Sequence, residues 1–557
     1  MSKKFKLKSA TYLLWISLFL VNCQPKESDI KEIQQWKEFE MSFTAGSEYA
    51  NPYTDVEFWV EFTGPDNQKL IRPGYWEQGN TWKVRFASPV SEGEWSWTSF
   101  ASNESDSGLH GKTGKLKAVP YTGDNELIQN GLLQMSPGKR NVIHANGKPF
   151  LMIGDTPWAL PFRATEETAR VYAENRQNKG FNTALLMIVQ PDQRAEGPRD
   201  RSLPGSFGVG FEDLSEGHLN KLNPEYFLQL DKLIEILVEH EIVPVYSPVF
   251  QGYGWKGLGT LGGSADPNEY VRFVKYLIAR YGSYPAMWLA NADAAGRGAV
   301  VEPAGETFHQ WDAYGQPTGN HYSPYDETLA NWTDDPAHGL HHNRVHQDKD
   351  WLDFQWCQTG HGGDHQSWKV EKMYNNLPAK ASANGEPTYE GINDSTNGAG
   401  WWQGHEAWLN YMNGGTMGVV YGAGGLWNWK LSADEPGWAD WANSNVSWRE
   451  AIELPGADYV GYLGKALEGL DITDIEKHPK LADGNLCLAK PGELFIIYLP
   501  QGGATTVNQL PKKGTYRWFD PKKGKFIAEG KTNAGTEKFT APLGDASVLI
   551  IEKSKQD

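Results

Sequence analysis

Two short stretches carry acids where an apolar run gives out. In WLANADAAGRG, residues 288–298, a run ending in Trp288 and Leu289 opens through Ala290, Asn291 and Ala292 onto Asp293; in NGEPTYEG, residues 384–391, Glu386 and Glu390 follow a run of small residues. Two carboxyl groups facing one cleft can break an acetal. One, protonated, donates to the leaving oxygen, and the other, ionised, attacks carbon or activates water. A separation of about 5–5.5 Å retains the anomeric configuration and one of about 6.5–9.5 Å inverts it. The small neighbours of Asp293 would let a substrate approach, and partial burial would raise its pKa toward the working pH, as a general acid requires. An Asp after a strand is also an ordinary turn former or helix cap. Glu390 is as eligible as Glu386 for the second carboxyl; the stop at Gly385-Glu386-Pro387 makes Glu386 the strand-end residue and leaves Glu390 to orient it or to contact substrate.

These acids work together only if a fold brings them to one place. From residue 123 to 466, apolar runs alternate with amphipathic segments: PFLMIGD, FNTALLMIV, IVPVYSPVF, PAMWLAN, QPTGNHY, WLDFQWCQ, AKASANGE and TMGVVYG are eight strand candidates. Thr165, Asn223-Pro224 and Asp266-Pro267 open helices whose apolar positions recur every 3.6 residues, WWQGHEAWLNYM holds another, and a last amphipathic segment runs from Trp448 to Leu470. Eight strand and helix pairs predict an α/β fold, a (β/α)₈ TIM barrel. A doubly wound sheet would carry a Gly-rich phosphate turn after its first strand, and the sequence has none. Residues 34–122 alternate short β-rich runs with turns and predict an N-terminal β-sandwich, with Trp59, Trp82, Trp95 and Trp97 in its core and edges; residues 467–557 predict a small C-terminal β-sandwich.

In such a barrel the chemistry sits at the carboxyl ends of the strands. The residues that stop the runs are Asp155 with Trp158 on strand one, Gln190 on strand two and Asn291 with Asp293 on strand four. Strand five ends in Asn320 and His321, strand six in Gln358 and His361, strand seven in Glu386 and strand eight in Tyr421. Asp155, Gln190, Asn291, His321, Gln358, His361 and Tyr421 are expected to hold sugar hydroxyls, although an acid like Asp155 also anchors loops. Trp158, Trp401 and Trp427, with Trp255 and Trp356, are expected to stack on sugar rings.

Composition narrows the partners. A formal net charge of −17 excludes nucleic acid and anionic membrane surfaces as partners, and 24 Trp with 13% aromatic residues suit either sandwich cores or sugar platforms. His338, His341, His342 and His346, with His361, Asp364 and His365 further on, offer a rival metal-dependent hydrolysis; no Glu occupies the helical slot of a zinc protease, and the reading adopted has no metal and no cofactor. A third class is a surface glycan-binding protein lacking a competent carboxyl pair. At the N-terminus, Lys3, Lys4, Lys6 and Lys8 precede the apolar segment Thr11–Val21 and Cys23, which resembles a bacterial lipoprotein signal (residues 1–23) followed by a tether, 24–33. The expectation is export and lipidation of Cys23, the sole membrane attachment, with simple cleavage as the alternative. Cys357 and Cys487 fall in different expected domains, so no disulfide framework is inferred.

GKPFLMIGDTPWAL, GFNTALLMI, YLIARYGSYPAMWLANAD, WLDFQWCQTGH and NGEPTYEG, in that order over residues 140–430, resemble the apiosidase-like glycoside hydrolases. YLPQGG and YRWFDPKKGKF resemble the collagen-binding-type domain that follows such barrels. The resemblance implies a TIM barrel and a two-carboxylate mechanism, with Asp293 as the strand-four aspartate and the glutamate of GEPTYE as its partner. Family members often place two Gly before that aspartate and an Arg soon after; here Asn291-Ala292 precede it and Ala294-Ala295 follow, so apiose itself is not implied.

Overall fold

The computed structural model describes residues 30–193, 198–252, 260–323, 345–361, 365–392, 399–435 and 444–554. Within them, the eight expected runs form one sheet of parallel strands: Met152–Asp155, Thr183–Val189, Val243–Val249, Met287–Ala294, Thr318–Tyr322, Phe354–Gln358, Ala381–Glu386 and Gly418–Tyr421. They are strands one to eight below. Each pairs in parallel with its sequence neighbour from one to seven, and strand eight pairs with strand one. Met417 N–H donates to Ser382 O (3.3 Å) and closes the seam between strands seven and eight. All residues of strands two and three are buried, as a sheet covered by helices on its outer face requires.

The helices begin where their cap chemistry directs. Thr165 caps Glu166–Asn178 by accepting from Thr168 N–H, Asn223 caps Pro224–Glu239, and Asp266 caps Pro267–Tyr281; the two prolines sit at the first helical position, where no N–H is needed. The segment expected to run unbroken from Trp448 to Leu470 is two helices, Trp448–Ala451 and Gly456–Leu467, because Pro455 cannot continue the first.

The N-terminal domain is a sandwich of a five-stranded and a three-stranded sheet around Phe43, Phe58, Val60, Phe62, Trp82, Val84 and Trp95. Lys31–Gln34 pairs with Leu116–Val119, so the sandwich already includes residues expected in the tether. The C-terminal domain is a single six-stranded sheet. Its strand Ala504–Asp520 carries three register shifts, and such bulges bend a sheet around a core, here Phe495, Ile497, Trp518, Leu549 and Ile551. The opposite face, with Ile496, Tyr498 and Ile550, joins the core of the barrel.

The sandwich is fastened to the barrel by buried charge. Arg85 of the sandwich donates to Asp231 Oδ2 (2.8 Å) and to the carbonyl of Arg280 (2.7 Å), while Arg280 forks onto both Asp231 oxygens at 2.7 and 2.8 Å. Burial pushes the Asp231 carboxyl up, and the two guanidinium groups overcome it and hold the group below its ordinary value. Removing one partner of such a set strands the other charges in a dry interface. Asp231→Ala is expected to cost about 3–5 kcal/mol, read as a lower thermal midpoint together with faster proteolytic release of the N-terminal domain.

Candidate active site

Asp293 and Glu386 both stand at breaks in strand register. Along strands four and five, Ala292 pairs with His321 and Ala294 with Tyr322, which leaves Asp293 as the extra residue of a bulge; a second shift separates Leu289 from Asn291. Asp293 has φ +52, a left-handed backbone that costs an L-residue about 1–2 kcal/mol and that Asp tolerates better than most. The carboxylate of Asp293 lies against Gly252 beyond strand three, where a Cβ would come within 2.0 Å of its Oδ2. Along strands six and seven, Cys357 pairs with Asn384 and Gln358 with Glu386, so Gly385 is passed over. Ser382 and Asn384 point out of the barrel, toward Gly414 O and Thr359. Strict alternation would send Glu386 the same way; the bulge turns it to the interior.

One imidazole spans the two acids. His321 Nδ1 accepts from Asp293 N–H (3.1 Å), and its Nε2 lies 3.7 Å from Glu386 Oε2. Burial pushes the His321 imidazole down to about 4, against the pull of Glu386, so the ring is neutral near pH 7 and its one proton is on Nε2. His361 repeats the device. Its Nδ1 accepts from Tyr389 N–H (3.2 Å), which leaves Nε2–H to donate to Glu386 Oε1 (3.2 Å). Burial pushes the Glu386 carboxyl up, and the hydrogen bond from His361 first, then the His361 and His321 rings and the Gln358 amide, together bring it below its ordinary value. The carboxylate is thus ionised at neutral pH although only 7% exposed.

Around this pair the strand ends present unsatisfied polar atoms. Glu386 Oε2, His321 Nε2, Gln358 Oε1 and Gln190 Oε1 are buried without a hydrogen-bond partner among the described residues. Val189 turns outward against Gly210, so Gln190 turns inward. Buried polar atoms are satisfied in folded proteins, and such orphans at one end of a barrel, Asn291 Oδ1 among them, suit hydroxyl groups of a ligand. Trp158 backs the His321 ring with centroids 5.6 Å apart, donates from Nε1 to Tyr389 Oη (2.8 Å) and packs edge-on to Phe250.

Several expected site residues meet protein partners. Asp155 is fully buried: its Oδ2 accepts from Arg176 Nε (2.5 Å) and its Oδ1 from Thr156 N–H (2.8 Å), so it ties strand one to a helix. Tyr421 donates to Glu390 Oε2 (2.7 Å), and Glu390 also accepts from Gly400 and Gly456 N–H at 2.7 and 2.8 Å; it thus joins the segment after strand seven to strand eight and to the loop beyond it. Asn291 spends its amide on His321 O and Ala294 O at 2.8 and 3.3 Å, pinning the bulges. Trp401 packs on Tyr459 and lies below Lys522 of the C-terminal domain, so it belongs to a domain interface. Of the remaining tryptophans, Trp356 is core, with Nε1–H directed at Met417 Sδ, and Trp427 is buried, its carbonyl accepting from Ala159 N–H. Asn320 bonds to Tyr322 Oη on the outer face of the barrel. Among the histidines, His346 meets Gly296 O (3.0 Å) and His365 stacks on Trp402. Cys23, Trp255, His338, His341, His342 and Asp364 lie outside the described residues.

Tyr389 and Phe250 join the site without a signal in the sequence: Tyr389 lies inside NGEPTYEG between acids, and Phe250 is apolar, so neither is a polar strand end.

Residues 136–474, more than half of the chain, match the family described as apiosidase-like, catalytic domain. Residues 32–102 match a domain of unknown function, DUF5060, and residues 476–552 a collagen-binding domain assigned to a collagenase. No curated protein matches the chain. A solved glycoside hydrolase covers 77% of this chain and 98% of its own with 20% identity and a TM-score of 0.62. A glycoside hydrolase family 5 structure from Bacteroides vulgatus ATCC 8482 covers 77% and 94% with 19% identity and a TM-score of 0.62. Another protein of that organism, assigned as a glycoside hydrolase, covers 94% and 100% with 17% identity and a TM-score of 0.66. At these identities the likeness speaks for the fold.

Gly385 generates a test of the geometry, because a Cβ there would meet His321 Cδ2 at 2.6 Å and Trp356 Cβ at 2.8 Å. Gly385→Ala is expected to cost about 1–3 kcal/mol through overpacking and to displace the His321 ring. A ¹⁵N-imidazole spectrum reads the displacement as a shifted His321 resonance, and in wild type that resonance is expected to hold steady from neutral pH down toward about 4.

Proposed function

The chain belongs to the apiosidase-like family of glycoside hydrolases, and we propose that it cleaves glycosidic bonds in plant or algal oligo- and polysaccharides, with Glu386 as nucleophile and Asp293 as acid/base. In a retaining cycle, Glu386 Oε2 attacks the anomeric carbon while Asp293 gives its proton to the departing oxygen and the glycosidic C–O bond breaks. Asp293 then takes a proton from water, whose oxygen displaces Glu386 and releases the sugar. The single observation that carries this reading is the Glu386 carboxylate: buried, ionised, held at Oε1 by His361, with Oε2 left without a hydrogen-bond partner among the described residues.

His321 gives the arrangement its second support. Its Nδ1 accepts from the Asp293 backbone and its Nε2–H points toward Glu386, so a shift of either strand end is felt at the other. Gln190 and Gln358 are assigned to sugar hydroxyls and Trp158 to the wall behind the ring. The basic and apolar N-terminal segment supports export with lipid attachment at Cys23, which would hold the enzyme at a bacterial outer membrane or cell surface.

The test is turnover on a panel of plant and algal oligosaccharides. Asp293→Asn and Glu386→Gln are each expected to lower kcat by about 10²–10⁴-fold or more, with the anomer of the first product followed by NMR to read retention. Near-normal turnover in both variants ends the assignment. Glu390→Ala is expected to lower stability by about 3 kcal/mol, since it strands buried donors, while the folded fraction keeps its activity.

A further inference from the structure

The helix Trp401–Met412 packs outside strands seven and eight, and its buried face carries Gln403, Glu406 and Asn410 among Ala407, Trp408, Tyr411 and Met412. Glu406, 1% exposed, is the one acid on that face. Thr359 Oγ1–H donates to Glu406 Oε1 (3.1 Å) and Thr388 N–H donates to Oε2 (3.2 Å). These partners are not on the helix. Thr359 follows strand six, two residues before His361, and Thr388 follows strand seven, two residues after Glu386. Thr359 Oγ1 in turn accepts from Asn384 Nδ2 (2.9 Å), whose Oδ1 accepts from Glu386 N–H (3.3 Å); Thr388 Oγ1–H reaches Gly360 O (3.2 Å).

We propose that Glu406 is a positioning residue for the Glu386–His361 pair, tying the loop after strand six to the loop after strand seven so that Nε2–H of one meets Oε1 of the other. The proposal rests on the function assigned to Glu386 above. An apolar residue would serve the packing of this helix at less desolvation cost, and a salt bridge would serve simple cohesion; a buried acid bonded, among the described residues, to two neutral donors on two active-site loops does neither.

Burial pushes the Glu406 carboxyl up to about 8 against those two donors, so it is uncharged at neutral pH. Its folded value lies above the ordinary carboxylate value. The stability contributed by the neutral form is therefore whole at acid pH and is lost as pH rises through about 8. The titratable groups around it are Cys357 on strand six, with a thiol that burial pushes up to about 12, and Lys369 on the helix Trp368–Tyr374, which burial pushes down to about 8 and Cys357 raises. Strand seven contributes Glu386, strand eight Tyr421, the last barrel helix Tyr459, and the C-terminal domain Tyr498 and Lys522, the last two against His405 and Trp401.

Glu406→Gln and Glu406→Ala in the full chain test this. A ¹⁵N-imidazole spectrum needs no substrate: the wild-type His361 resonance is expected to move as pH passes about 8, the Gln variant to match wild type at neutral pH and to lose that movement, and the Ala variant to be shifted already at neutral pH. On a glycan that the wild type turns over, Glu406→Ala is expected to lower kcat by about 10- to 100-fold with KM within about threefold, and Glu406→Gln to stay within about threefold of wild type without the alkaline decline. An unshifted His361 resonance in Glu406→Ala, or the wild-type pH dependence persisting in Glu406→Gln, overturns the proposal. Should the Ala variant fail to fold, the Gln comparison decides. If Asp293→Asn and Glu386→Gln keep their activity while the imidazole results hold, the assigned catalysis fails and the positioning stands.

Discussion

The burial of one negative charge is the constraint on which the rest of the site depends. A carboxylate as deep as Glu386 would ordinarily take up a proton. It stays ionised because imidazoles stand toward both of its oxygens, His361 at 3.2 Å and His321 at 3.7 Å. For either ring to offer a proton there, its other nitrogen must be an acceptor. Each Nδ1 is made one by a backbone N–H, that of Asp293 or of Tyr389. The tautomers are thus set by main chain, which cannot rotate away as a side chain can.

The backbone pays for this at the bulges. Asp293 sits in a left-handed conformation so that its N–H meets His321 while its carboxylate leaves the strand toward Gly252, and Gly385 gives up a side chain so that the His321 ring can come close to it. Bulges re-aim side chains. Two of them, on strands four and seven, set the direction of Asp293 and Glu386 where regular pairing would have set it otherwise.

The other acids at the strand ends serve closure. Strand eight returns to strand one through Asp155, Arg176, Tyr421 and Glu390, a row of buried charge and hydrogen bonds on the seam. Arg163 and Glu435, a further buried pair, brace the loop after strand one against the loop after strand eight. In Asp155 and Glu390 both oxygens accept from protein donors, whereas Glu386 keeps Oε2 without a hydrogen-bond partner among the described residues, although all three end or follow an apolar run.

What the sequence by itself determined is local and periodic. The eight apolar runs, the caps at Thr165, Asn223 and Asp266, and the turn to β texture at either end follow from residue types a few positions apart, and with them the barrel, its flanking domains and the face on which chemistry must lie. Candidate acids could be named for the same reason, since each stops a run. Which of them faces the cleft was decided only by tertiary structure. Side-chain direction in a strand alternates, one slipped residue reverses it, and the slips at Asp293 and Gly385 arise from pairing with strands about 30 residues away in the chain. Partners such as Arg176 for Asp155 or Tyr421 for Glu390 likewise meet only when the cylinder closes, and no spacing along the chain records that meeting.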